Sequence, residues 1–347
     1  QALNSNTTAN YNTAVGYQAL YSNVTGSLLT AVGKGALQAS TGNYSTAVGY
    51  HAFNATTTGE QNTGMGMGVF AANTTGSYNT GVGYFAGVSN TTGSSNVAIG
   101  WDALYSNTTA NSNTAVGYQA GYSNTTGAYN AYVGKGAGFS GVTVSSATAV
   151  GFEALYNNTA NINTAIGMYA GRSNTSGDTN FFGGYAAGYG VTTGSQVTFV
   201  GAYSGPSTST TSTGNRNTGY GYSALSVVTS GNDNTGIGPN TLLATSTGSN
   251  NTAVGSSALY SNTTGSNSTV VGYQAAYTNN ADYTTAVGYK ALYSSTGSGN
   301  AAFGGYALFS NTTGSQNTAV GRQALLSNTT ASENTAVGYQ VGYNNTA

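Results

Sequence analysis

One phrase, Asn-Thr-Ala-Val-Gly-Tyr-x-Ala-Leu-Tyr-Ser-Asn-Thr-Thr-Gly-Ser-x, returns about twenty times along this 347-residue chain. Its glycine is read at Gly16, Gly33, Gly49, Gly66, Gly83, Gly100, Gly117, Gly134, Gly151, Gly167, Gly183, Gly201, Gly221, Gly238, Gly255, Gly272, Gly288, Gly304, Gly321 and Gly338. Most steps are 17 residues, several are 16, and two are 18 and 20. A short fixed period specifies one unit stacked on copies of itself, because so small a unit cannot bury a hydrophobic face alone. Length would allow two globular domains, but no break in composition divides the chain. It reads as a single continuous repeat array over 1–347. Because it starts and stops inside a repeat, it also reads as a segment of a longer chain.

The residue before each glycine is apolar and mostly β-branched: Val15, Val32, Val48, Val82, Ile99, Val116, Val133, Val150, Ile166, Val254, Val320 and Val337 carry the column. Thr precedes it by two residues in most repeats, and β-branched residues two apart signal a strand with both side chains on one face. This column is expected to form a buried structural ladder. Ala follows the glycine by three residues, as at Ala19, Ala103 and Ala258, and the next residue is often Leu, as at Leu20, Leu104 and Leu259. A half-repeat rich in Gly, Thr and Asn leaves no room for a helix. Ser-Asn-Thr-Thr-Gly-Ser instead supplies a turn, with Gly available for positive φ and Asn able to bond its own backbone. The expected fold is all-β, a parallel β-solenoid or β-roll of about twenty 17-residue coils, each with two short strands and two turns. At ~4.8 Å per coil, the rod would be on the order of 95 Å long. The longest step reads as a polar loop inserted at 203–217.

Repeats such as Asn96-Val97-Ala98-Ile99-Gly100 and Asn163-Thr164-Ala165-Ile166-Gly167, each with Ala three residues after the glycine, resemble the head repeats of YadA-like trimeric autotransporter adhesins. The Asn-Thr-Ala-Val-Gly-Tyr-Gln-Ala-Leu form is similar to repeats of phage tail-fibre and other surface-fibre proteins. The resemblance implies a left-handed β-roll, three chains side by side, and attachment to surfaces. The adhesin head repeat is shorter, and the Tyr-Ser-Asn-Thr-Thr-Gly-Ser turn is not part of it.

Only 4% of residues are charged and the formal net charge is −1, so there is no basic stripe for nucleic acid. No apolar run is long enough to span a membrane, and there is no Cys. The single His51 reads as a surface residue. The carboxylates Glu60, Asp102, Glu153, Asp178, Asp233, Asp282 and Glu333 are mostly far apart, so no catalytic constellation, metal site or cofactor is expected. Val32-Gly33-Lys34-Gly35 lacks the spacing of a phosphate loop.

The recurring constellation is a column of Asn-x-Ser/Thr matches seven residues after the glycine: Asn23, Asn73, Asn90, Asn107, Asn124, Asn174, Asn262, Asn311 and Asn328. These are candidate glycosylation sites. The alternative is turn chemistry, with stacked Asn bonding in ladders. Further matches fall at Asn6, Asn43, Asn54, Asn157, Asn250, Asn267 and Asn344. Tyr recurs one and five residues after the glycine, as at Tyr17, Tyr118, Tyr105 and Tyr122, and it suits lateral packing or sugar stacking.

Together these features predict a structural fibre protein, extracellular or on a cell or virion surface, not an enzyme. A thin core predicts self-association, as a homotrimer or as a lateral or end-to-end fibre, with glycans as further partners. The alternative is an adhesin or phage tail-fibre shaft that binds cell-surface glycans.

Overall fold

The computed structural model describes residues 1–207 and 211–345. Among them are twenty strands of three residues each and no helix. The chain forms two compact units, Gln1–Thr175 and Ser176–Ala347. Ten strands, from Thr13–Val15 to Thr164–Ile166, lie in the first, and ten, from Phe181–Gly183 to Thr335–Val337, in the second.

Within each unit every strand pairs in parallel with its neighbour one repeat away, like residue on like. Thr13 faces Thr30, Ala14 faces Ala31 and Val15 faces Val32 in the first unit. Thr318 faces Thr335, Ala319 faces Ala336 and Val320 faces Val337 in the second. Each unit is therefore an all-β parallel solenoid with one coil per repeat.

Each coil has one strand where two are expected from the sequence. The cause lies after the repeat glycine, where the residues two and four further on take left-handed backbone: φ is 58° at Gln18 and 50° at Leu20, then 55° at Asp102 and 50° at Leu104. A third such residue precedes the strand, as at Tyr11 and Tyr78 with φ of 60° and 61°. These residues break the pleat but not the bonding between coils. Leu20 N donates to Ala36 O at 3.1 Å and Ser22 N to Gln38 O at 2.9 Å, so the ladder runs on through the turn. Left-handed backbone costs a non-Gly residue roughly 1–2 kcal/mol. Leu20 and Leu104 are fully buried, and burying a Leu contributes about 1.5–3 kcal/mol, enough to offset that strain.

The repeat glycine is required twice over. Gly117 has φ of 138°, and a Cβ there would lie 2.6 Å from Gly134 O of the next coil. The same test corrects the phase of one repeat. Gly184, with φ of 131°, stacks on Gly201 and is the repeat glycine, whereas Gly183 closes the strand opposite Val200. The steps from Gly167 to Gly184 and on to Gly201 are then both 17 residues.

The Val/Ile column also needs correction. It is stacked in register, but it points outward. Across Thr114–Val116 the burial runs half-buried, buried, half-buried, and Ala115 is the residue inside. A three-residue strand has one inward side chain, and alternation assigns it to the central residue. Val15, Val82, Ile99, Val133, Val150, Ile166, Val320 and Val337 are at least a third exposed, while Val32, Val48, Val116 and Val254 are half-buried.

The core consists of the central strand residue, the Ala and Leu that follow the glycine, and two columns of Asn. In its apolar half, large side chains in one column stand against glycines in another. Tyr132 occupies the central strand position, usually held by Ala, and is fully buried. The Leu position is glycine in its own coil and the preceding one, Gly138 and Gly121, and a Cβ at either would collide with the Tyr132 ring. Phe182 with Gly188 and Phe199 with Gly205 repeat the arrangement.

Residues 208–210 of the expected loop at 203–217 lie outside the described residues. On its near side Ser204 Oγ donates to Gly219 O at 2.9 Å. On its far side Ser212 N donates to Gly190 O at 2.9 Å, and Ser212 is buried beside Val191.

Candidate functional site

The nine Asn residues expected as glycan acceptors lie inside the coils. Asn23, Asn73, Asn90, Asn107, Asn124, Asn174, Asn311 and Asn328 are wholly inaccessible, and Asn262 is 1% exposed. Their amides form a ladder: Asn90 Nδ2 donates to Asn73 Oδ1 at 2.8 Å, Asn107 to Asn90 at 2.8 Å, and Asn124 to Asn107 at 3.0 Å. The same nitrogens cap the turn three residues on, as in Asn73 Nδ2 to Gly76 O at 2.9 Å. A glycan on any of these nitrogens would displace the core, so turn and ladder chemistry is the reading that fits. Of the other matches, Asn250, Asn267 and Asn344 are exposed, while Asn6, Asn43, Asn54 and Asn157 are half-buried.

Sequence reasoning missed a second amide column, four residues before the glycine. Asn79 N donates to Asn62 Oδ1 at 2.9 Å, and Asn79 Nδ2 to Gly93 O at 2.9 Å. Asn96 and Asn113 repeat the pattern. The signal was the Asn that opens the phrase in most repeats, as in Asn113-Thr114-Ala115-Val116-Gly117.

The outer surface carries the side chains available to a partner. Beyond the Thr and Val/Ile columns of the strands lies the aromatic position after the glycine, with Tyr17 60% exposed, Trp101 55% and Tyr222 56%. Lysines sit among these rings. Lys34 Nζ lies 5.9 Å from the Tyr17 centroid and 5.5 Å from that of Tyr50, and Lys135 Nζ lies 5.7 Å and 5.5 Å from those of Tyr118 and Phe152. The rings five residues after the glycine stack face to face instead: Tyr105 on Tyr122 at 5.0 Å, Tyr122 on Phe139 at 5.1 Å, and Phe139 on Tyr156 at 4.8 Å. Their faces are taken up by one another, whereas the column after the glycine and the tyrosines five residues before it, such as Tyr11, Tyr78 and Tyr129, keep exposed ring surface.

Ionisable groups are spread along the coils. Arg172 pairs with Glu153 and Arg216 with Asp233, each at 2.6 Å. His51 is half-buried and stacks on Tyr50 at 4.1 Å. Burial raises the Asp102 carboxyl above its ordinary range, against the opposing hydrogen bonds from Gln119 and Trp101. Among the described residues no three His, Cys, Asp or Glu side chains gather in a metal-holding cluster, and no helix is long and apolar enough to cross a membrane.

The fold and surface define a tandem-repeat β-solenoid. Comparison with protein-family models and with curated proteins returns no match.

Proposed function

We propose that this chain is a structural fibre protein, an extracellular or surface filament segment whose work is mechanical and not enzymatic. The observation that carries this reading is the hydrogen-bonded ladder that continues around each coil and from coil to coil within each unit. Such a ladder resists bending and leaves little slack backbone for a protease.

Self-association is part of the proposal. Ten coils of ~4.8 Å by four residues of ~3.3 Å give the outward strand face of one unit an area on the order of 600 Å². A standard interface buries about 800 Å² per partner, so this uncharged face is of a useful size. Any glycan coat would attach at the exposed Asn250, Asn267 and Asn344.

Mass per length of the assembled fibre, measured by scanning transmission electron microscopy before and after deglycosylation, tests both statements. One chain gives about 0.36 kDa per Å and three give about 1.1, at the coil spacing used above. A single-chain value would overturn self-association along the strand face, and no loss on deglycosylation would overturn the coat.

The exposed aromatics after the repeat glycine favour a second reading, an adhesin or tail-fibre shaft that binds surface glycans. Glycan-array binding by the chain, abolished by Trp101→Ala and Tyr222→Ala, would support it. Absence of binding would remove it.

A further inference from the structure

Two ladders of stacked rings bring tyrosines of neighbouring coils together. Tyr105 and Tyr122 have centroids 5.0 Å apart and planes within 11°. Tyr260 and Tyr277 are 4.9 Å apart at 11°, and Tyr277 and Tyr293 are 5.2 Å apart at 9°. All five are half-buried, so their ring edges still reach solvent. Centroids no more than 5.2 Å apart in near-parallel planes keep each ring against its neighbour, so the ortho carbons of a pair need only small side-chain movements to meet. The chain has no Cys and thus no disulfide with which to staple one coil to the next.

We propose that these ladders are sites of oxidative cross-linking, in which adjacent tyrosines couple to dityrosine and lock neighbouring coils covalently. The oxidant is hydrogen peroxide acting through a haem peroxidase. The peroxidase removes one electron and the phenolic proton from each tyrosine. The two radicals join through the carbons ortho to their oxygens. Each of those carbons then gives up its hydrogen, which restores the phenol. The pair loses two hydrogen atoms in total, and the peroxide is reduced to two molecules of water.

The ladder contains its own stops. Phe139 stacks between Tyr122 and Tyr156 but has no phenol to oxidise, so coupling ends at Tyr122. Phe309 ends the other ladder beyond Tyr293.

The full chain, mixed with an equal amount of heavy-nitrogen-labelled chain, is treated with peroxidase and peroxide, digested with elastase, and analysed by mass spectrometry. The expected products join Tyr105 to Tyr122 and Tyr277 to Tyr260 or Tyr293, each within a single isotope label. Tyr122→Phe, which copies the ring found at Phe139, should abolish the first product and leave the second. Circular dichroism matching the parent confirms that the variant is folded. The proposal is overturned if no dityrosine forms. It is equally overturned if the products join chains of different label, or join the outlying Tyr11, Tyr78 and Tyr129 in preference to stacked pairs.

Discussion

Replacing Asn107 with Ala tests whether the buried amides hold the coils together. Asn107 Nδ2 donates to Asn90 Oδ1 at 2.8 Å and to Ala110 O at 3.2 Å, and its Oδ1 accepts from Asn124 Nδ2 at 3.0 Å. Ala110 O keeps a donor in Asn96 Nδ2, and Asn124 Nδ2 keeps Gly127 O. Asn90 Oδ1 loses the donor that the next coil supplied, inside a site that water does not reach. An unsatisfied buried acceptor costs about 1–3 kcal/mol, and the other lost bonds cost about 1 kcal/mol more. The expected loss is about 3 kcal/mol, which is roughly a hundredfold in an opening equilibrium. Because a solenoid is stabilised coil against coil, the loss should be local. Hydrogen exchange should show the amides of Thr91, Thr108 and Thr125, which bond from coil to coil, exchanging roughly a hundredfold faster. Amides several coils away should change little. The exposed Asn111, whose Oδ1 accepts only from Ser94 N, is the control, since its replacement by Ala should cost under about 0.5 kcal/mol. If the two variants lose protection equally, or if Asn107→Ala loses less than about threefold, the ladder does not carry the stability assigned to it.

Three further perturbations probe other columns. Ala115→Asp places a charge in the core and should cost several kcal/mol, about 3 or more, whereas Val116→Asp on the outward face should cost under about 1 kcal/mol; equal thermal melts would mean the strand faces are assigned the wrong way round. Gly138→Leu should destabilise by about 3 kcal/mol through collision with Tyr132, and adding Tyr132→Ala should restore most of that in urea unfolding, because it recreates the usual Ala and Leu pair. Burial first, and then neighbouring phenols, raises the Tyr122 and Tyr277 pKa values above the ordinary phenol range. Their contribution to stability is then full below that range and is lost as pH rises through the raised values. Tyr122→Phe with Tyr277→Phe should therefore flatten the alkaline fall in melting temperature, and an unchanged slope would refute the link.

The period, the strand class and the recurrence of Ala and Leu after the glycine could be read from the sequence because each is a repeated choice imposed by packing. The direction of the Val column could not, since β-branching reports an extended backbone and not which side of a three-residue strand faces in. The pair of glycines at Gly183 and Gly184 admitted two phases, and Ala186 and Ala187 fitted either. Asn180, which continues the amide column four residues before Gly184, carried the missing signal. The left-handed positions were also marked, by glycines standing in for longer residues at Gly35, Gly68 and Gly136 and at Gly87, Gly121 and Gly138. Both clues become legible only when every repeat is aligned on the right glycine. The burial of the sequon Asn residues was the harder inference, because Asn-Thr-Thr-Gly serves a turn and an exposed acceptor equally well.

The outward columns can be compared to ask what their composition is for. The residue after the repeat glycine varies freely, from Tyr and Trp to Lys34, Ser256 and Arg322, as expected where only solvent sets the terms. The last residue of each strand also faces outward, yet it is apolar in every coil but the one ending at Gly183. β-Propensity does not explain this restriction, because Thr has comparable propensity. Thr dominates the first residue of the same strands, on the same outer face, and never occupies the last. Solvation would favour Thr over Ile at an exposure such as the 44% of Ile237, which is flanked by coils on both sides. A column kept apolar where neither folding nor water asks for it supports the self-association proposed above, in which a second copy of the chain covers that face.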